Sequence, residues 1–414
     1  MASIYANAYF TIIAADGGDA NHGLQGTGFG SCPRSYTPDV LKFSPECSMV
    51  KAPEYESQFN RREWHKRGWT YQERILSDRN MVFFRSTIFW ECCQSIWFEE
   101  LAGEPDGVTT KASLRQRDGQ YSYQHTRWPD FLFYSRVFSL YNNRLLTYQS
   151  NALAAFSATL RVMCRSFKGG FFYGIPEIFF DLGLLWRPNT PVLRRTSAEI
   201  DKEYPMFPSW SWIGWEGNVI ITNLSRLYQL LWDGRTTDLP IEISPAVVWY
   251  KTNKQNGKRA SIDNSYHTFQ RVGADLSKPL LQGWSRERPS KPRGYFADFP
   301  DDFTVFRHVE IPDIEFFTPV PLPAEPLLPS PDIWDKYLTF RTKKCSLHIS
   351  GLVRPPLERM VYSNLSDDFV PFCLLLNLTD GSGLWAGMIC SNTSDPKDIL
   401  SDQEGEFIII LLNY

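Results

Sequence analysis

The stretch RGWTYQERILS at residues 67–77 decides how the N-terminal part of this chain is interpreted. Thr70 and Glu73 have the S/T-x-x-E spacing of a capping box. In that motif the Thr70 hydroxyl accepts a hydrogen bond from the N–H of Glu73, whose carboxylate reaches back to the N–H of Thr70. The spacing therefore predicts a helix that is capped by Thr70, runs through Leu76 and ends at Ser77–Asp78.

The residues around this motif allow a structural and a functional interpretation. In the structural one, Trp69 precedes the cap and packs against Arg74 or Ile75 as a hydrophobic staple. In the functional one, Arg67 binds a phosphate and Glu73 binds a ribose hydroxyl or moves a proton. The structural interpretation explains the whole spacing and is preferred, with Arg67 and Glu73 kept as candidate site residues.

Two β-rich runs follow, NMVFF at 80–84 and IFWECC at 88–93, and they predict a hairpin or two neighbouring strands. Glu91 in the second run is a carboxylate within a sheet, so pairing with an arginine is expected rather than catalysis. Cys92 and Cys93 point to opposite faces of a strand, and no histidine lies within ten residues to activate a thiolate. Both are expected to be inert thiols.

The residues before the motif read as a helix end, a strand and a long loop. Residues 1–8 look like the tail of a helix, and YFTIIAA at 9–15 looks like a buried strand. Residues 16–63 read as a loop, in which GTGFGS at 26–31 fails the context of a phosphate loop because no strand directly precedes it. His22 in this loop is a candidate ligand contact.

After a polar boundary at 99–127, the chain turns helical. Helices are expected at 128–144, with Pro129 in the first turn, at 150–167, and over a short stretch within 176–186.

The tryptophan-rich segment FPSWSWIGWEG ends this helical region. In an extended segment, Trp210 and Trp212 share one face, and Gly214 interrupts the run before Trp215. These rings suit a ligand platform, but packing between subdomains is the preferred interpretation.

The C-terminal part is expected to be β-rich. Residues 251–330 are polar and proline-rich. Three β-like runs follow, within 338–350, 369–378 and 406–414.

Composition excludes several classes of function. The chain has 414 residues, 43% hydrophobic and 15% aromatic, which suits two or three folded domains. Its 43 basic and 46 acidic residues give a net charge of −3, so neither nucleic-acid nor membrane binding is expected. The eight cysteines include no C-x-x-C pair, so no metal site is expected. Without a signal peptide or an apolar run of about 18 residues, the protein is expected to be soluble and cytoplasmic.

Several blocks together resemble a known family. MASIYANAYFTIIAADGGDANHGLQG, RGWTYQERILSDRNMVFF and IFWECC resemble the second half of the fungal heterokaryon incompatibility (HET) domain. LTYQSNALAAFSATL, GIPEIFFDLGLLW and FPSWSWIGWEG look like the segment that follows it, so the resemblance spans about residues 1–217. The positions that match the family motifs are Gly68, Trp69, Thr70, Gln72, Glu73, Arg74, Trp90, Glu91, Cys92, Trp210, Trp212 and Trp215.

The resemblance implies a fold and a function. HET domains are similar to TIR domains, some of which cleave NAD with a glutamate, and the corresponding acidic residue would lie upstream of Met1. The family's SYCWG-like and WIDSLCI-like blocks do not occur here, so truncation within the HET domain is expected. The implied role is non-self recognition and programmed cell death in fungal cell fusion. The preferred form is an interaction module, and the alternatives are an incomplete NAD-cleaving effector or a non-functional truncated product.

The expected fold is α+β or mixed α/β, with a partial TIR-like HET domain. The expected divisions are half of a HET domain at 1–98, a linker at 99–127, a helical region at 128–217 and a β-rich region at 218–414. The expected partners are proteins, either other incompatibility proteins or copies of the chain itself. No cofactor is expected, and NAD enters only as a possible substrate.

Overall fold

The computed structural model describes most of the chain. The described residues are 2–19, 21–28, 31–34, 40–45, 47–50, 59, 61–92, 96–99, 126–199, 202–221, 244–245, 247–253, 255–288, 304–323, 325–327, 334–342, 344–353, 375–392, 404–408 and 411–412. The chain divides into two compact units. Unit 1 takes residues 1–124, 143–159 and 357–369, and unit 2 takes residues 125–142, 160–356 and 370–414.

The chain mixes helices and strands, which confirms the expected α+β class at that level. The α-helices are α1 (Ala2–Ala6), α2 (Glu63–Lys66), α3 (Gly68–Ile75), α4 (Phe131–Asn142), α5 (Ala152–Met163), α6 (Phe180–Leu184) and α7 (Tyr266–Ala274). Short 3-10 helices lie at Gln149–Asn151, Glu177–Phe179 and Trp212–Gly214. Among the described residues, no helix is long and apolar enough to cross a membrane.

Unit 1 is built on a four-stranded sheet with the order β1-β4-β5-β6. The strands of unit 1 as a whole are β1 (Thr11–Ala14), β2 (Val40–Lys42), β3 (Ser48–Val50), β4 (Arg79–Phe84), β5 (Thr87–Cys92) and β6 (Ile96–Phe98). Strand β1 runs parallel to β4, whereas β4, β5 and β6 are antiparallel neighbours. The small β2–β3 hairpin lies within residues 16–63, so the expectation of a loop over this whole range is wrong in part.

The expected hairpin is confirmed. Strands β4 and β5 are joined by Arg85 and Ser86, whose φ angles of 54° and 60° place both in the left-handed region. Two such residues form a turn whose twist matches that of the flanking strands. Thr87 belongs to β5 and pairs with Phe84.

One face of this sheet forms the core of unit 1. The core residues share complete or nearly complete burial; they are Ile13, Ala15, Phe59, Val82, Phe84, Phe89 and Ile96. In β4 and β5 every second residue is buried, as expected for strands with one face toward a core. Strand β1 differs from the expected buried strand, because it is the outermost strand and Ile12 is 54% exposed.

Unit 2 contains many short antiparallel pairs and a longer sheet. Its strands are β7 (Phe171–Phe172), β8 (Ile175–Pro176), β9 (Trp186–Pro188), β10 (Leu193–Arg194), β11 (Thr196–Glu199), β12 (Lys202–Pro205), β13 (Trp215–Glu216), β14 (Val219–Ile221), β15 (Ser244–Pro245), β16 (Tyr250–Asn253), β17 (Lys258–Ser261), β18 (Trp284–Glu287), β19 (Val305–His308), β20 (Ile311–Phe316), β21 (Leu338–Thr339), β22 (Lys344–Val353), β23 (Leu375–Thr379), β24 (Trp385–Cys390), β25 (Glu404–Ile408) and β26 (Leu411–Leu412). One sheet of this unit has four strands, in the order β24-β23-β22-β25. The C-terminal runs at 338–350, 369–378 and 406–414 thus contain strands, as expected.

The expected helices of the middle region are present with shifted ends. Helix α4 begins after Asp130, whose carboxylate accepts a hydrogen bond of 2.8 Å from the N–H of Phe133. Pro129 therefore precedes the helix instead of lying in its first turn. Burial raises the pKa of Asp130 to about 6. Helix α5 ends at Met163, so Phe167, the last residue of the predicted helix, is buried but lies beyond the end of the observed helix.

Candidate functional site

The start of α3 differs from the predicted capping box. The helix begins at Gly68, two residues before Thr70, and its N-cap residue Arg67 makes no capping hydrogen bond. The Thr70 hydroxyl lies 2.6 Å from the carbonyl oxygen of Trp64 and 2.7 Å from that of Arg67. This hydroxyl donates to the two carbonyls, and because α3 already begins at Gly68, Thr70 lies inside the helix and is not its N-cap residue. The capping box is wrong, and Trp69 is the second residue of the helix.

A distant segment of unit 1 fixes this helix start. The N–H of Gly68 donates to the carbonyl of Leu145 at 2.8 Å, and the N–H of Leu145 donates to the carbonyl of Lys66 at 2.6 Å. A Cβ atom on Gly68 would lie 2.5 Å from Cδ2 of Leu146. Close approach of the two chain segments therefore requires glycine at this position.

Arg144 is inserted beside the same helix start. Its side chain is buried, and Nη1 donates to the carbonyl of Arg67 at 3.2 Å and to the Thr70 hydroxyl at 3.1 Å. Its guanidinium lies 4.8 Å from the ring centroid of Tyr71, a cation–π distance. Nη2 lies 3.3 Å from Nδ1 of His65, and burial together with Arg144 lowers the pKa of His65 to about 2. The imidazole is therefore neutral and accepts from the guanidinium.

Glu73 lies at the edge of this group. It is partly buried and shares a hydrogen bond with Tyr5 of α1. Burial raises the pKa of Glu73, although the Tyr5 hydrogen bond and the charges of Arg67 and Arg144 act in the opposite direction. The structure thus brings the candidates Arg67 and Glu73 within electrostatic range of each other. Because Arg67 is exposed, it remains accessible to an anion.

Arg74 and Glu91 lie deeper, in the core of unit 1. Arg74 Nε is 3.0 Å from Glu91 Oε2, and the two side chains are 5% and 0% exposed. The expected pairing of Glu91 with an arginine is confirmed. A carboxylate held by two guanidinium hydrogen bonds and closed off from solvent acts as a structural group.

His22 lies in a different part of unit 1. A shallow, narrow pocket lies at the carboxyl ends of β1 and β4, where open parallel sheets bind ligands. The polar residues that line it are Asp16, His22, Gln25, Arg34, Ser86 and Thr87. Several of these side chains already have hydrogen-bond partners within the protein. Asp16 accepts from the N–H of Arg85, and the Ser86 hydroxyl donates to Gln25 at 2.8 Å. Arg67 and Glu73 do not line this pocket, so His22 is not joined with them.

The second face of the unit 1 sheet carries a row of apolar side chains. Ile12, Met81, Trp90 and Trp97 are consecutive partners across β1, β4, β5 and β6, so their side chains point to the same face. We call these four residues the outer row. Ile12 is 54% exposed and Trp97 38% exposed, while Met81 and Trp90 are partly buried.

The apolar character extends to the next row and along β1. Ala14, Phe83 and Ile88 are partners beside the outer row, and Ala14 is exposed. Phe10, just before β1, packs against Trp90 with ring centroids 5.8 Å apart. The sheet of unit 1 thus has one apolar face in the core and a second apolar face that is partly exposed to solvent.

Charged groups stand at the two ends of this second face. At one end, the guanidinium of Arg79 lies 5.5 Å from the ring centroid of Tyr9. At the other end, Arg34 and Glu99 form an ion pair, and the Glu99 carboxylate accepts from the N–H of Ile88 at 3.0 Å. An apolar centre with a polar rim is the usual anatomy of a protein–protein interface.

Trp210, Trp212 and Trp215 do not form one strand face, and Trp212 alone of the three is fully buried in the core of unit 2. Trp212 lies in a 3-10 turn, is fully buried and stacks on Phe138 of α4 at 5.0 Å between ring centroids. Its Nε1 donates to the hydroxyl of Tyr134 at 2.9 Å. Trp210 packs instead against Phe172, at 5.2 Å. The predicted extended segment is wrong here, because the chain turns between the two rings.

Trp215 packs separately from those two rings. It lies 6.3 Å from Trp186 and under the guanidinium of Arg194, at 5.2 Å. All three tryptophans thus contact neighbouring side chains within unit 2, as packing residues do.

Buried polar groups of unit 2 satisfy one another. Glu177 pairs with Lys251, and Asp181 accepts from the indole N–H of Trp249 at 2.6 Å. Burial raises the pKa of both carboxyl groups, while these partners oppose the rise. Such closed networks stabilise a core and leave little capacity for a ligand.

Cysteines and metal ligands add no site within the part of the chain that the structure describes. Cys32, Cys47, Cys92 and Cys164 form no disulfide, and burial raises the pKa of Cys164 to about 11. No group of three or more histidine, cysteine, aspartate or glutamate side chains there could hold a metal ion. Cys93 lies outside the described residues.

Unit 1 thus presents a mixed sheet, a polar cluster around the start of α3 and an exposed apolar face. Residues 1–73 match the family model described as Heterokaryon incompatibility protein (HET). The match confirms the resemblance for the motifs that lie within residues 1–73. No curated protein and no solved structure matches the chain.

The apolar outer row was not predicted from the sequence, although the two strand-forming runs contain a pattern that indicates it. The runs NMVFF and IFWECC contain apolar residues at both alternating positions, whereas a strand with one solvated face alternates apolar and polar residues. Apolar residues on both faces indicate a sheet that is covered on both sides, or one whose second face binds something.

Proposed function

We propose that this chain acts in heterokaryon incompatibility as a protein-interaction module. The HET match indicates a role in that process. The exposed outer row carries the more specific proposal, because Ile12 and Trp97 hold apolar surface in water beside two partly buried apolar neighbours. A partner with an apolar surface would bury that area and gain about 25 cal/mol for each Å² removed from water.

The proposed cellular role is the one that the family resemblance implies. The chain acts in the cytoplasm of fungal cells, where it recognises non-self after cell fusion and triggers programmed cell death. Its partners are other incompatibility proteins or further copies of the chain. A TIR-like arrangement is proposed for the HET-like part of the chain, because β1 and β4 are parallel and helix α3 lies between them in sequence.

We also propose that HET-domain sequence extends past the matched segment to residue 98. The match ends at residue 73, inside α3, whereas the sheet that contains β1 continues through β4, β5 and β6 to Phe98. A sheet folds as one unit, so a boundary at 98 is physically more reasonable than one in the middle of a helix. The divisions at 99–127, 128–217 and 218–414 remain predictions.

Cell death in fused fungal cells tests the proposed module. The full chain is expressed in a filamentous fungus as wild type, Ile12→Asp, Trp97→Asp or Leu41→Asp, and dead fused cells are counted with a membrane-impermeant dye. Leu41 is the matched control, since it lies on strand β2 and is 57% exposed. We expect both outer-row variants to lose the response and Leu41→Asp to keep it. Normal killing by folded Ile12→Asp would contradict the proposal.

A second candidate function is NAD cleavage, favoured by one observation. Glu73 has a raised pKa and lies near Arg67 and Arg144, which suits a carboxyl group beside an anionic nucleotide. Nicotinamide release from NAD by the purified chain tests this candidate. Release by wild type that Glu73→Gln abolishes would favour it, whereas no release supports the interaction module.

A further inference from the structure

We propose that the outer face of the unit 1 sheet binds a second copy of this chain, face to face. The inference rests on the proposed function and names the partner. It concerns the outer row of Ile12, Met81, Trp90 and Trp97, together with the neighbouring Phe83.

The charge distribution favours a second copy. None of the four outer-row side chains is charged, so two copies bring these centres together without burying like charges. The charges of Arg79 and of the Arg34–Glu99 pair stand at the ends of the face, where they stay in contact with water. A face that carries no charge at its centre is compatible with itself, which is the requirement of a two-fold symmetric interface.

The shape of the surface points the same way. The row crosses four adjacent strands of a sheet, and sheets pack on each other face to face at about 10 Å with interdigitated apolar side chains. The two indole rings of Trp90 and Trp97 supply large contact area with few rotatable bonds. Placing the same face of a second copy opposite supplies a layer of equal size and equal chemistry.

The exposed apolar area of the outer face determines the expected affinity of the dimer. From the exposed fractions of Phe10, Ile12 and Trp97 and the smaller contributions of their neighbours, each copy removes roughly 400 Å² of apolar surface from water. A stable interface needs about 800 Å² from each partner. The dimer is therefore weak and forms reversibly as the protein concentration rises.

Sedimentation equilibrium of the purified full chain tests the inference. Wild type, Ile12→Asp, Trp97→Asp and the control Leu41→Asp are compared from about 1 to about 500 µM, a range that covers the affinity of a weak interface. We expect the average mass of wild type and Leu41→Asp to rise toward that of a dimer, while both outer-row variants stay monomeric. Thermal unfolding by circular dichroism verifies that each variant is folded.

Temperature and salt add an independent readout. Association through an apolar face weakens on cooling and persists in high salt, whereas association through charged groups weakens in salt. Wild type that stays monomeric throughout the range would overturn the inference, and so would dimerisation that folded Ile12→Asp leaves unchanged. If wild type is monomeric but fused-cell death still requires Ile12, the face binds a different protein: the inference fails and the proposed function stands.

Discussion

Arg74 and Glu91 form an ion pair in the core of unit 1, with Nε 3.0 Å from Oε2 and Nη2 3.2 Å from Oε1. The pair joins helix α3 to strand β5. The guanidinium also lies 4.6 Å from the ring centroid of Phe59, so it is enclosed by an anion and an aromatic face.

Removal of one partner of this pair should be costly. We expect Glu91→Gln to lower the free energy of unfolding by about 3 kcal/mol or more, because the buried guanidinium loses its counter-charge. The double variant Arg74→Met, Glu91→Leu should recover much of that loss. Urea unfolding measures both. The exposed Glu63–Lys66 pair is the control, since Lys66→Ala should change stability by less than about 0.5 kcal/mol. An equal loss in the single and the double variant would contradict this account of the pair.

Gly68→Ala should destabilise the chain although alanine favours helices. Alanine gains about 1 kcal/mol over glycine within a helix. Here the added methyl group would lie 2.5 Å from Cδ2 and 2.9 Å from Cγ of Leu146, and overpacking of this kind costs about 1–3 kcal/mol. We expect a net loss of unfolding free energy. Gly18→Ala, where nothing lies within 4 Å of the added atom, should be neutral. An increase in stability for Gly68→Ala would show that Leu146 moves aside.

Glu73 should give the chain a measurable dependence on pH. Its folded pKa is raised above 4.5 by burial, so the folded state takes up this proton before the unfolded state does. The contribution of Glu73 to stability is therefore present at low pH and is lost as the pH rises through the folded pKa. We expect the melting temperature of wild type minus that of Glu73→Gln to increase as the pH falls from about 7 to about 4.5. A difference that stays constant over this range would contradict the raised pKa.

Trp212 should contribute far more to stability than Trp215. Trp212 is fully buried, stacked on Phe138 and hydrogen-bonded to Tyr134, so Trp212→Ala should cost about 3–5 kcal/mol. Trp215 is only partly buried, and Trp215→Ala should cost much less. Chemical unfolding of both variants tests the interpretation of Trp212 as a packing residue. An equal loss of unfolding free energy in the two variants would show that burial does not determine how much each tryptophan contributes to stability.

Local signals predicted much of unit 1. The hairpin of β4 and β5 followed from two apolar runs around a short turn, and the partner of Glu91 followed from the cost of an unpaired buried carboxylate. Both depend on residues that are near in sequence or on a general rule about charge. The position of His22 in a pocket away from Arg67 could not be predicted, because it depends on the path of the intervening chain.

The start of α3 shows why a local pattern failed. Thr70 and Glu73 have the spacing of a capping box. In the structure, however, the N–H of Gly68 donates to the carbonyl of Leu145, and the guanidinium of Arg144 donates to the Thr70 hydroxyl. These partners come from more than seventy residues along the chain. A sequence pattern read over four residues does not contain such a contact, so tertiary structure overrode it.

The fused-cell assay with Ile12→Asp and Glu73→Gln side by side tests the central claim most directly. The account locates the function on the apolar outer face, so Ile12→Asp should abolish cell death while Glu73→Gln leaves it intact. Cell death that survives Ile12→Asp but disappears with Glu73→Gln, both variants being folded, would contradict the account and assign the function to the polar cluster at the start of α3.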